Sequence, residues 1–411
     1  MSSSRSTRQS LGLSSAATHS TLLTTDTSKT KTTGPYDRQF QQVLIDNGIY
    51  PQGYRYSDGR VPPKPDNWDQ FGQMLARPRP SLSPSRFGDA EFDDLVQADA
   101  DAGKEQQVCE SVLPYIEGRV ADARCRSGGV PFSNLEDLTD RPLTKGKPDV
   151  FYGARPEQLD RGVRDALSGH IIPSTQDDLL MLPNFYTEVK GPDGSLAVAG
   201  RQACYNGALG ARGMHSLHTC GQAESTYDSN AYTITNTYHG GTFKIYTSHI
   251  EPPRTAGGRP ETYMHQLNGY NLTGNIGNFR AGAAAYRNAR DYAKMERDSA
   301  ILQANERLAQ LQAETAADEE NVSPALSLVT ALDTEETHTL TRDSGTSFDE
   351  DGHAARRDRE SDSSPDELAD YALPAKRPAR RSMRQESQRK RRDAESYSSH
   401  NRTRSGDAYA A

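Results

Sequence analysis

The chain has 411 residues, 34% of them hydrophobic and 25% charged, and its mean hydropathy is −0.83. So low an apolar content excludes a chain that is all core, and predicts one domain of ordinary size with long polar extensions. The formal net charge of −8 excludes a protein that coats nucleic acid through bulk charge, so any such contact must come from a local patch or a bound metal.

Four cysteines, at 109, 125, 204 and 220, are too few for a disulfide scaffold. No run of about 18 apolar residues is present. The expectation is a soluble protein of a reducing compartment, with no membrane partner.

Residues 1–34 are rich in Ser and Thr and read as a disordered tail. Residues 35–100 read as a helical and loop extension packed on the core. Within them, Phe40, Val43 and Leu44 fall at helical spacing over 36–50. A Gly- and Pro-dense loop follows. Asp66 or Asn67 can cap a helix over Trp68–Leu75, and Ser85 can cap another running to Val96.

Residues 101–315 read as an α/β domain: a mixed sheet flanked by helices, closed by C-terminal helices. Val108, Val112, Leu113, Ile116 and Val120 mark an amphipathic helix over Lys104–Ala123, with Pro114 as its kink. A strand is predicted over Lys147–Tyr152 and a helix over Pro156–Leu167. Asn184–Lys190 alternates, is aromatic and β-branched, and reads as a strand. Ala197–Arg212 reads as a helix in which Gly207 and Gly210 allow close backbone approach. Ala231–Tyr238 and Thr242–Ile250 flank His239-Gly240-Gly241 as a hairpin, with His239 in the turn. Asn278 to about Glu314 reads as one or two long helices. Residues 316–411 read as a disordered tail, acidic and then basic.

Glu188-Val189-Lys190 is the one acidic-x-Lys triplet in the chain, and it falls in a predicted strand. A period of two puts Glu188 and Lys190 on one face. Pro148-Asp149 opens the preceding strand. Phosphodiester hydrolysis needs these parts. Two carboxylates on adjacent strands can hold a hard divalent cation, which lowers the pKa of bound water. A lysine beside them orients that water or stabilises developing negative charge. Asp149 and Glu188 are thus the expected ligands of Mg²⁺ or Mn²⁺, and Lys190 the charged partner. The other reading of Glu188 and Lys190 is a surface ion pair between strands.

Pro148-Asp149, then Glu188-x-Lys190, then a helix, resembles the PD-(D/E)xK nuclease superfamily with its restriction-endonuclease-like core. Some exonuclease-like branches carry Gln and Tyr in that helix. Gln202 and Tyr205 stand there here, three residues apart rather than the usual four. The resemblance implies that Gln202 supports the site, and that Glu110 or Glu117, on the helix before the first strand, supplies another acid. YDRQFQQVLIDNGIY, RVPPKPDN, ARPRPSLSPSRF and QACYNGALGARGMHSL also resemble a group of fungal proteins of unknown function with a similar core, over residues 36–290.

The expected activity is Mg²⁺-dependent cleavage of DNA or RNA. The alternative is a nuclease-fold module that no longer cuts and binds nucleic acid or protein. His215-x-x-His218-x-Cys220, near Cys204, matches no structural zinc spacing. Cys109 and Cys125 read as small buried apolar groups. Arg201 and Arg212 lie on the helix after Lys190, either against phosphate or on a solvated face. The Lys376–Arg392 basic run resembles a bipartite import signal, which implies an import receptor as partner and a nuclear location, or otherwise a cytoplasmic one.

Overall fold

A computed structural model describes residues 32–175, 179–222 and 224–322. The expectations for residues 1–31 and for the stretches after Val322, the Lys376–Arg392 run included, lie outside the described residues.

Asp37 caps α1 (Arg38–Asp46) by accepting from the Gln39 N–H, and Phe40, Val43 and Leu44 form its buried face. β1 (Ile49–Tyr50) follows at once. The Gly- and Pro-dense loop then leads to α2 (Trp68–Leu75). Asn67 stands before α2 but makes no side-chain cap. It clasps Ala231 instead, Nδ2 donating to the carbonyl at 2.9 Å and Oδ1 accepting from the N–H at 3.0 Å. α3 (Asp89–Asp101) starts later than Ser85, where the Gly88 N–H donates to Glu91.

The helix expected over Lys104–Ala123 is three pieces: α4 (Glu105–Gln107), a π turn over Val108–Val112, and α5 (Leu113–Glu117). Pro114 has no N–H for the carbonyl one turn back, and the wider turn absorbs the misfit. Gly118, at φ +60, ends the run before Val120. β2 (Arg126–Ser127) and β3 (Val150–Ala154) follow, so the strand expected from Lys147 begins later. The helix expected over Pro156–Leu167 also divides. A 3₁₀ turn covers Pro156–Gln158, Asp160 then caps α6 (Arg161–Ala166), and α7 (Ser168–Ile171) follows.

β4 (Met181–Lys190) is longer than its expected strand and fully buried along its length. α8 (Leu196–Thr219) runs two turns past Arg212. β5 (Ala231–His239) and β6 (Thr242–Glu251) form the expected hairpin. Its turn needs positive φ at Gly240 and Gly241, +49 and +74, which glycine supplies without strain. β7 (Glu261–Asn271) has no counterpart in the sequence reading. α9 (Ile276–Val322) is one helix of 47 residues.

The seven strands make one mixed sheet in the order β1-β7-β6-β5-β4-β3-β2. β4 and β5 are parallel, as are β1 and β7; the other neighbours are antiparallel. A parallel pair needs a crossover, and α8 provides it. α8 covers one face, over Phe151, Tyr186 and Tyr246. α9 covers the other, laying Ala283, Ala285, Ala289 and Ala293 over Phe185, Val189, Ile234 and Phe243. The molecule is therefore a mixed α/β protein with helices on both faces of its sheet.

The approach of α8 to the sheet depends on glycine. A Cβ at Gly210 would sit 2.7 Å from Thr233 Cγ2 and 2.9 Å from Tyr186 Cε2, whose ring is fully buried and whose hydroxyl donates to Pro183 O. Helix propensity favours alanine there by about 1 kcal/mol. Overpacking opposes it by about 1–3 kcal/mol, and neither neighbour can withdraw. Gly210→Ala should lower stability in urea unfolding. Gly200→Ala, where a Cβ meets nothing within 4 Å, should raise it.

Candidate active site

β3 and β4 bring the expected residues together. Their register pairs Val150 with Thr187. Continued by one residue, it sets Asp149 opposite Glu188, on the same face of the sheet. Asp149 Oδ2 accepts from the Val189 N–H at 2.7 Å, which ties the loop end of β3 to β4. Asp149 is half-buried, while Glu188 is 0% exposed and Lys190 1%. Glu188 and Lys190 are thus a buried pair on the α8 side, not a surface ion pair.

Lys190 Nζ donates to Glu105 Oε1 at 2.5 Å. Glu105 stands in the first turn of α4 and is 14% exposed at its side chain. The acid supplied by the preceding helix is therefore Glu105, and the expectation for Glu110 or Glu117 is corrected. Glu110 faces solvent and accepts from Gln106. Glu117 is buried on the α9 side, where Arg126, Tyr152 and Tyr286 donate to it. Glu105 shares the helix face of the buried Val108 and Val112, whereas Glu110 lies on the exposed face.

Glu188 Oε1 accepts from Asn206 Nδ2 at 2.5 Å, and Glu188 Oε2 has no hydrogen-bond partner among the described residues. Gln202 lies one turn before Asn206, so the two share a face of α8. Gln202 Oε1 is buried without a partner. Tyr205 points away and packs edge-on against Phe40, 5.7 Å between ring centroids. The side chain four residues past Gln202 that reaches the site is thus Asn206, which the sequence reading missed. The gap of three between Gln202 and Tyr205 was its signal.

A second missed residue is His239. It is the last residue of β5, not a turn residue, and its parallel register sets it beside Lys190. Its Nε2 is buried and unpartnered. Arg201 donates to Pro35 O at 2.5 Å and Arg212 to Gly169 O at 3.4 Å, so both tie α8 to neighbouring segments. Cys204 is buried in α8, and His215 and His218 pack against Tyr227 and Tyr232. All four cysteines are free thiols.

The electrostatics are one-sided. Glu105, Asp149 and Glu188 oppose Lys190. Burial, then the Asp149 carboxylate, holds the Glu188 acid well above the usual carboxylate range, against the pull of Lys190. Burial alone would lower the Lys190 ammonium, but Asp149, Glu105 and Glu188 outweigh it and raise it. The Cys109 thiol is pushed up by its burial and then by Asp149 and Glu105.

The donor set suits a hard cation. Mg²⁺ characteristically takes one or two carboxylates and keeps several waters. The Asp149 carboxylate lies close enough to raise the Glu188 acid, and Glu188 Oε2 is orphaned. No group of three or more His, Cys, Asp or Glu positioned to hold an ion occurs among the described residues. Most ligands of an ion here would therefore be water or substrate oxygens.

No curated protein and no solved structure matches the chain. Residues 103–301, which carry every residue of this site from Glu105 to His239, match DUF7924, a domain of unknown function.

Proposed function

We propose that the protein is a metal-dependent phosphodiesterase of the PD-(D/E)xK type, acting on DNA or RNA. The observation that carries the reading is Asp149, tied to β4 by its bond from the Val189 N–H, beside a buried Glu188 whose Oε2 is orphaned, with Lys190 two residues along the same face. The order of elements supports it as well: an antiparallel strand pair, a crossover helix and a parallel strand.

Asp149 and Glu188 would hold Mg²⁺ or Mn²⁺. The ion, when bound, makes its water acidic and neutralises phosphoryl charge. Lys190, held by Glu105, presents a fixed positive charge beside the reacting phosphate. Asn206 fixes the Glu188 carboxylate so that Oε2 is the oxygen left for the ion. Gln202, with its unpartnered Oε1, supports the same face. Asp149, half-buried where Glu188 and Lys190 are fully buried, would be the residue that substrate reaches first.

A binding module that no longer cuts is favoured by one observation, the ion pair that engages Lys190 with Glu105. The test is incubation of the full chain with Mg²⁺ or Mn²⁺ and plasmid DNA, single-stranded DNA and RNA. The expected result is cleavage of at least one substrate, abolished by EDTA. An inert wild-type protein on all three overturns the enzymatic reading.

A further inference from the structure

A cleft lies at the other end of α8 from Glu188. It encloses about 260 Å³ between the C-terminal turns of α8, the start of β5, the end of β6 and α9. Asn206 and His218 are twelve residues apart, so the cleft is about 18 Å along the helix from the Glu188 site.

Its walls combine aromatic faces with carboxylates. His218 stands edge-on to Tyr232, 4.4 Å between centroids. Asp228 accepts from the Tyr232 hydroxyl and, at 3.1 Å, from the Asn230 N–H. Glu296 enters from α9. Arg307 is the one cation in the wall among the described residues, and it donates to the Leu217 and Cys220 carbonyls, both at 2.9 Å. Arg307 therefore holds the ends of α8 and α9 together and leaves the two carboxylates unneutralised. Burial, and then the Asp228 charge, raise the Glu296 acid against the Tyr292 hydrogen bond, which lowers it, and burial holds the His218 imidazole low and neutral.

The floor carries an independent sign of a ligand. Ser248 and His249, next to a register shift between β5 and β6, both line the cleft. Both are 1% exposed. Ser248 Oγ has no hydrogen-bond partner, nor has either ring nitrogen of His249, although Nε2 lies 3.4 Å from Glu251 Oε1. Buried polar atoms of this kind are rarely left unmet in folded proteins.

We infer that this cleft binds a small organic ammonium ion, paired with Asp228 and Glu296, laid against the Tyr232 and His218 rings, and donating to Ser248 and His249. Excess carboxylate charge selects a cation. Aromatic walls select an alkylated cation over a hydrated metal ion. The volume is slightly below that of drug-sized pockets, which limits the occupant to a small molecule. The inference does not depend on the nuclease reading.

The test is calorimetric titration of the full chain with n-butylammonium, with n-butyrate as the control of similar size. The expected result is saturable binding of the amine alone, weakened at least tenfold in the Asp228→Asn/Glu296→Gln double variant. Should that variant not fold, Glu296→Gln alone is read by the same criterion. The wild-type melting temperature should also rise with the amine and not with butyrate. Equal binding of butyrate, binding unchanged by the substitutions, or no saturable heat with the amine would overturn the inference.

Discussion

Glu188→Gln should give a protein that is more stable than the wild type and no longer cleaves. The side chain is fully buried, one of its oxygens has no partner, and its acid is raised by burial and by Asp149. A buried unmet polar group costs about 1–3 kcal/mol. Glutamine keeps the Oε1 that accepts from Asn206, and its new N–H₂ can donate to Asn206 Oδ1, itself unpartnered. The gain should be about 1–3 kcal/mol, or several degrees in melting temperature for a domain of this size. Activity should fall at least about 10³-fold, equivalent to about 4 kcal/mol of transition-state stabilisation.

The pH dependence has a definite sign. A free glutamate titrates near about 4.3. Folded Glu188 keeps its proton to higher pH, so above about 4.3 the native state binds more protons than the unfolded state. Stability in EDTA then falls as pH rises, until the folded group has also ionised. Glu188→Gln removes that fall, so its advantage over wild type should widen with pH across the window. Urea unfolding of both proteins at several pH values measures it. A variant less stable than wild type at neutral pH would contradict the account.

Glu117→Ala should have the opposite character, a large loss of stability with the chemistry left intact. Arg126 Nε donates to Glu117 at 3.0 and 3.1 Å, the Tyr152 hydroxyl at 2.8 Å and the Tyr286 hydroxyl at 3.2 Å. The network joins α5, β2, β3 and α9 on the face opposite α8. Removing the shared acceptor strands one guanidinium and two hydroxyls at once. Breaking a buried pair in this way costs about 3–5 kcal/mol, on the order of 10 °C in melting temperature. Cleavage per folded molecule should be unchanged, because Glu117 touches nothing at the Glu188 site. Thermal unfolding, and activity at a temperature where both proteins are folded, check the two halves.

The contrast between these acids shows what the sequence carried. Glu188 and Lys190 were legible because a strand has a period of two and the triplet occurs once. Asp149 was legible only as a partner on the preceding strand; the antiparallel register turned that into a direct pairing. The hairpin was legible from its two glycines, and the close approach of α8 from Gly207 and Gly210. Glu105 was passed over because the resemblance pointed to acids farther along the helix, Glu110 and Glu117, although its spacing to Val108 and Val112 puts it on the buried face. Asn206 and His239 were hidden for a different reason. Each is placed by a tertiary relation, one turn of α8 beyond Gln202 or a parallel register with Lys190. β7 escaped because its glycine and its mix of polar and aromatic residues give no alternation, and pairing with β6 overrides that weak preference.

The most direct test of the account is calorimetric titration of Mn²⁺ into metal-free wild-type protein and into Glu188→Gln. The account predicts saturable uptake by the wild type, with release on adding EDTA, and no uptake at this site by the variant although it is folded and more stable. Equal uptake by the two proteins, or none by the wild type, would contradict it.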